Sequence, residues 1–89
     1  MLSIEQVNAA SVEACCQSGP RKGQLKSKCP PMGTLGAAYW QGAMMAVDPR
    51  KVSIMQIMFF TPEQHWLFDA AKDAADRIVA RNRAARLAA

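Results

Sequence analysis

Acidic residues are missing from a long part of this chain: none occurs from residue 14 to residue 47. Histidine is nearly absent as well. His65 stands alone, which leaves no second imidazole for a histidine-based metal cluster or proton relay within one chain. The three cysteines, Cys15, Cys16 and Cys29, are odd in number and contain no C-x-x-C spacing, so neither a zinc knuckle nor a redox motif is supported. Reduced thiols of a cytosolic protein are the economical reading. No G-x-x-x-x-G-K-[ST] phosphate loop occurs. The longest uncharged run, residues 29 to 47, is broken by Pro30, Pro31, Gly33, Gly36, Gln41 and Gly42, and its apolar part is too short to span a bilayer. The opening MLSIEQ has no basic n-region and meets Glu5 at once, so it does not read as a signal peptide. These absences point to a cytoplasmic protein with no membrane segment.

What is present is a short, apolar, basic chain. Its 89 residues make one domain, and 51% hydrophobic content argues against disorder throughout. A domain this small buries only about 60% of the surface its unfolded chain exposes, so a partner or a second copy would add burial it lacks. The net charge of +4 is unevenly placed. Arg21, Lys22, Lys26 and Lys28 fall in the acid-free stretch, and Arg77, Arg81, Arg83 and Arg86 follow the last acid, Asp76. Such zones attract phosphate or an acidic protein surface. The plainer reading is a solvated loop and a helix C-terminus suited to its dipole.

Helix signals dominate. Ser3 with Gln6 forms a capping box and Leu2 with Val7 a hydrophobic staple; Ile4, Val7, Ala10 or Ser11, and Ala14 then recur at helical spacing, and Gly19-Pro20 marks the stop. Residues 18 to 33 read as a loop. Thr34 caps a second helix, LGAAYWQGAMMAV, in which Gly36 and Gly42 each cost roughly 1 kcal/mol relative to alanine and imply close approach by another backbone or a ligand. Asp48-Pro49 closes it. KVSIMQIMFF, residues 51 to 60, is apolar on both faces as a strand and tolerable as a short helix. With no strand to pair with, helix is favoured unless the chain forms a homodimer through this segment. Thr61-Pro62-Glu63-Gln64 opens a long alanine-rich helix with a stripe of Leu67, Ala71, Ala74, Ile78 and Ala85 and an i,i+4 pair of Asp73 with Arg77. The fold class is therefore all-α: a small bundle of three to four helices with a long C-terminal helix, residues 52 to 60 admitting a strand.

No constellation reads as an active site. Asp69, Asp73 and Asp76 lie on one helix among Lys72 and Arg77, which suits salt-bridging better than metal binding. Cys29 follows Lys28, where a lysine would lower a thiol pKa, but no base accompanies it. The chain reads as a non-enzyme with no cofactor and no metal. Five of six methionines (Met32, Met44, Met45, Met55 and Met58) sit mid-chain, and a core role is the expected one, any exposed remainder serving a partner. Four cations followed by Tyr39 and Trp40 also suit RNA, with lysines on phosphates and an aromatic stacked on a base. The alternative keeps the aromatics in the core.

Residues 23 to 46, GQLKSKCPPMGTLGAAYWQGAMMA, resemble the centre of the ribosome modulation factor family through Gly23, Lys26, Cys29-Pro30, Trp40 and Gly42. Pro31, Ala37 and Met44 stand where the family tends to have an aromatic, an arginine and a second tryptophan. The resemblance implies a helix-loop-helix over residues 1 to 48, with residues 49 to 89 a C-terminal helical extension of the same domain, and a role on bacterial ribosomes.

Three functions compete. The first is a protein similar to ribosome modulation factor, binding the ribosome or structured RNA with Arg21, Lys22, Lys26 and Lys28 on phosphates and Trp40 either stacking or holding the loop from the core. The second is a small protein-binding adaptor or inhibitor, of mobile-element origin, that occupies an acidic partner surface. In the third, residues 51 to 71 form the strand and helix of a dimeric DNA-binding regulator resembling ribbon-helix-helix repressors.

Overall fold

The computed structural model describes residues 2 to 88, and the side chain of Ala88 is not among the described features. Four α-helices follow one another: α1 Ile4–Ala14, α2 Leu35–Val47, α3 Ile54–Met58 and α4 Pro62–Ala88, with a 3-10 turn at Pro49–Lys51. Three of the four starts are built by the residues that announce them. Ser3 Oγ accepts from Gln6 N while Gln6 Oε1 accepts from Ser3 N. Thr34 Oγ1 accepts from Ala37 N, and Thr61 repeats the reciprocal box with Gln64. Each such cap satisfies backbone donors that a helix start leaves orphaned.

Within residues 52 to 60, Ile54–Met58 is helical. Ser53 caps α3 through its hydroxyl to Gln56 N, and among the described residues the β pairing is confined to an isolated Cys15–Leu25 bridge. The strand that residues 52 to 60 admitted is absent, and a short helix stands in its place. Gln56, Ile57 and Phe60 turn inward, while Ile54, Met55, Met58 and Phe59 stay exposed.

Helix α2 is the centre of the bundle, packed against α1 and, more extensively, against α4. Its residues Gly36, Ala37, Ala38, Trp40, Gln41, Gly42, Ala43 and Met44 are buried. One apolar cluster gathers Leu2, Ala10, Ala38 and Leu67 with Val7 and Phe60, so the Leu2–Val7 staple belongs to the core. A second gathers Ala14, Trp40 and Met44 with Leu25, Cys29 and Val52. The small residues of α2 set the spacing. A Cβ on Gly42 would collide with the Phe68 carbonyl oxygen and lie 3.1 Å from Ala71 Cβ, so glycine is what lets α4 come this close.

Several expectations need correction. Helix α1 stops at Ala14 rather than at Gly19-Pro20, because Cys15 turns extended and bridges to Leu25. Ile4 is 78% exposed and lies outside the stripe. On α4 only Leu67 and Ala71 of the expected stripe are buried; Ala74, Ile78 and Ala85 are exposed, because α2 is about half as long as α4 and covers only its first part. The ion pair on α4 is Lys72 with Asp76 at 2.9 Å, one position off the expected Asp73–Arg77. Of the mid-chain methionines only Met44 is fully core, whereas Met32, Met55 and Met58 are exposed.

Gly42→Ala should lower stability by about 1–3 kcal/mol through overpacking, because the clashing atom is backbone and cannot rotate away. A urea unfolding midpoint equal to the parent's would contradict the close approach.

Candidate nucleic-acid interface

The chain after α1 folds into a tight hairpin that displays the basic residues. Cys16 N donates to Gln24 O at 2.8 Å, Gly23 N to Cys16 O at 2.9 Å and Lys26 N to Ala14 O at 2.9 Å. Gly23 supplies the positive φ of 85° that the return requires and that a β-carbon would strain. Arg21 closes the tip by donating from Nη2 to Leu25 O at 2.9 Å. These bonds give order to a segment that carries little apolar surface of its own.

From behind, Trp40 holds the hairpin. Its ring is buried on α2, and Nε1 donates to Lys26 O at 2.9 Å. Of its two expected roles, stacking or holding the loop from the core, the geometry is that of the second. Arg21, Lys22, Lys26 and Lys28 all remain exposed. Arg21 and Lys26 of the hairpin line a groove of about 830 Å³ together with Arg50 and Lys51 of the 3-10 turn. Tyr39, Met44, Val47, Ile78 and Val79 are among its apolar walls. Lys22 and Lys28 lie outside this lining. Arg50 is engaged by Asp48 at 3.1 Å, which holds that carboxyl below its ordinary range, chiefly through the hydrogen bond.

Sequence reasoning did not place Arg50 and Lys51 in the site. They fall 24 or more positions after Lys26, and only the packing of the 3-10 turn beside α2 brings the two basic segments to one groove. Pro49 at the start of that turn was the available signal. The second basic zone, Arg77, Arg81, Arg83 and Arg86, is exposed along α4.

At the far end of the loop, Cys29 joins a line of polar side chains. The Gln41 amide donates from Nε2 to Cys29 Sγ at 3.3 Å, and Sγ lies 4.0 Å from Gln56 Oε1. Gln41, almost fully buried, also accepts from Ser53 N at 2.9 Å. This corrects the expectation for Cys29: burial pushes its thiol up, against a smaller lowering by the Gln41 hydrogen bond, and Lys28 does not activate it. Cys15 is likewise raised, mainly by burial. Among the described residues no cluster of three or more His, Cys, Asp or Glu is placed to hold a metal ion. His65 is exposed and meets the Phe60 ring edge-on at 5.6 Å. No helix among the described residues is long and apolar enough to cross a membrane.

No protein-family model matches the chain, and no curated protein or solved structure matches it significantly.

Two outcomes test this geometry. Trp40→Phe keeps the ring in the core but removes the donor to Lys26 O; it should cost about 1–2 kcal/mol and speed amide exchange in residues 15 to 28. Uniform exchange in loop and helices would contradict the pinning. For the thiols, a folded-state pKa raised above the unfolded value contributes stability that is complete below the unfolded pKa and declines as pH rises toward the folded one. Urea midpoints should therefore fall above about pH 8.5, and less so in a Cys15→Ala, Cys29→Ala variant referred to its own neutral-pH midpoint.

Proposed function

We propose that this chain is a non-enzymatic RNA-binding protein that meets the ribosome or another structured RNA through its basic hairpin. The observation that carries the reading is a loop fixed from behind by Trp40 with Arg21, Lys22, Lys26 and Lys28 all facing solvent. Ordered cations lose less freedom on meeting phosphates than mobile ones, and Asp48, the carboxylate that lines the groove, is taken up by Arg50. Arg50 and Lys51 line the same groove as Arg21 and Lys26, so that a phosphate backbone lying in it meets both basic segments. Trp40 acts through the loop it supports, and base contacts fall instead to the groove wall at Tyr39. The helix-loop-helix of α1 and α2 accords with the resemblance to ribosome modulation factor.

A second reading is favoured by one feature: the groove is walled by Leu25, Met44, Val47, Ile78 and Val79, which suits the apolar face of an acidic amphipathic helix from a protein partner. Nuclease separates the two. RNA-mediated pelleting with bacterial ribosomes is salt-sensitive and lost on RNA digestion, whereas a protein partner is retained.

Lys26→Gln with Lys51→Gln removes one cation from each of the two basic segments that line the groove. If both meet phosphates, the slope of log affinity against log salt should become shallower by about 1.5–2, with affinity at low salt down by at least tenfold. An unchanged slope would remove the groove from the interface.

A further inference from the structure

The exposed face of α3 has no role in the groove, and it gathers four large apolar side chains within six residues. Ile54, Met55, Met58 and Phe59 are 71%, 69%, 73% and 72% exposed. Ile54 and Met58 are i,i+4 neighbours on α3, flanked by Met55 and by Phe59 at the helix end, so the four side chains form a single patch. The opposite side is committed: Gln56 lies within reach of Cys29, and Ile57 and Phe60 are half-buried. Ser53 N is fastened to the buried Gln41, which fixes the start of the helix and thus the direction of the patch. A mobile tail would not present its methionines in this way.

We propose that this patch pairs with the same patch of a second copy, making the protein a reversible homodimer through α3. Charge selects the occupant. Residues 52 to 61 contain no ionisable side chain, in a chain whose net charge is +4. Two such chains repel through most of their surfaces, and this neutral face is where they can approach without opposing like charges. An acidic partner would be drawn to the hairpin and to the arginines of α4 instead. An antiparallel crossing of two α3 helices sets Ile54 and Met55 of each copy over Met58 and Phe59 of the other, the self-complementary arrangement a two-fold axis requires. Side chains of this size offer on the order of 500 Å² per chain. Two copies then bury about 1,000 Å² together, at the lower edge of specific interfaces, which corresponds to a weak dimer.

The test is sedimentation velocity of the full-length, nuclease-treated chain from about 5 to 500 μM, a range that spans weak association. The expected result is a shift from monomer toward dimer across that range. In Phe59→Glu the shift should be lost with the helical circular dichroism unchanged. Met55→Glu serves as the second variant and should lose it equally should Phe59→Glu unfold. A parent chain that stays monomeric throughout would overturn the proposal. So would folded variants that dimerise as the parent does. Flotation with uncharged phosphatidylcholine vesicles by a chain monomeric in solution, lost in Phe59→Glu, would assign the patch to a lipid surface and overturn it as well. None of these readouts depends on RNA binding, so the hairpin and the α3 face stand or fall separately.

Discussion

Everything in this bundle depends on how closely α4 approaches α2 at Gly42. The Phe68 carbonyl occupies the space where any other residue would carry a β-carbon. Because five of the eight buried residues of α2 are glycine or alanine, it can lie close against α1 and α4. Short separations increase dispersion contacts per residue, which matters in a chain with few large core groups. Leu67 and Gln41 are its largest side chains with essentially no exposure. Substituting bulk into α2 would move α4, and with α4 the wall of the groove.

Two buried glutamines then tie the irregular segments to that helical pair. Gln64 closes the α4 capping box with one end of its amide and donates to Thr34 O with the other, so the start of α4 is fastened to the start of α2. Gln41 accepts from Ser53 N and donates to Cys29 Sγ, linking α2 to the entry of α3 and to the end of the loop. Buried amides are costly unless paired. Among the described residues no buried side-chain nitrogen or oxygen lacks a partner, so here they lock geometry instead of weakening it. Together with the Trp40–Lys26 bond they explain how a chain with a long interhelical loop keeps that loop in one shape.

The helices were legible in the sequence to the extent that their causes are local. Ser3, Thr34 and Thr61 act within three residues of themselves, so the starts of α1, α2 and α4 could be read directly. Gly42 signalled a close approach without naming Phe68 as its partner. What stayed hidden was set by distant contacts. The early end of α1 follows from Leu25, ten positions on, and the burial of the α4 stripe follows from where α2 ends. The hairpin cations were legible from composition, because an acid-free stretch is visible in the sequence. Arg50 and Lys51 were not, because their place in the groove is created by tertiary packing. Met55 and Met58 looked like core at helical spacing, yet the side of α3 facing the body is taken by Gln56, Ile57 and Phe60.

Charge plays almost no part in holding the fold, and this bears directly on how the basic surface can be used. The ion pairs among the described residues, Arg50–Asp48 and Lys72–Asp76, are solvent-exposed, and exposed pairs contribute little. The core clusters are apolar, and the polar groups that cross between elements are neutral amides, a thiol and an indole. The hairpin cations and the arginines of α4 are therefore not consumed by ion pairs among the described residues. Salt that screens them weakens attraction to an anionic partner while leaving the packing of α2 on α4 intact. The same separation lets surface charge be varied without cost to the bundle, whereas a single methyl group added at Gly42 is felt throughout it.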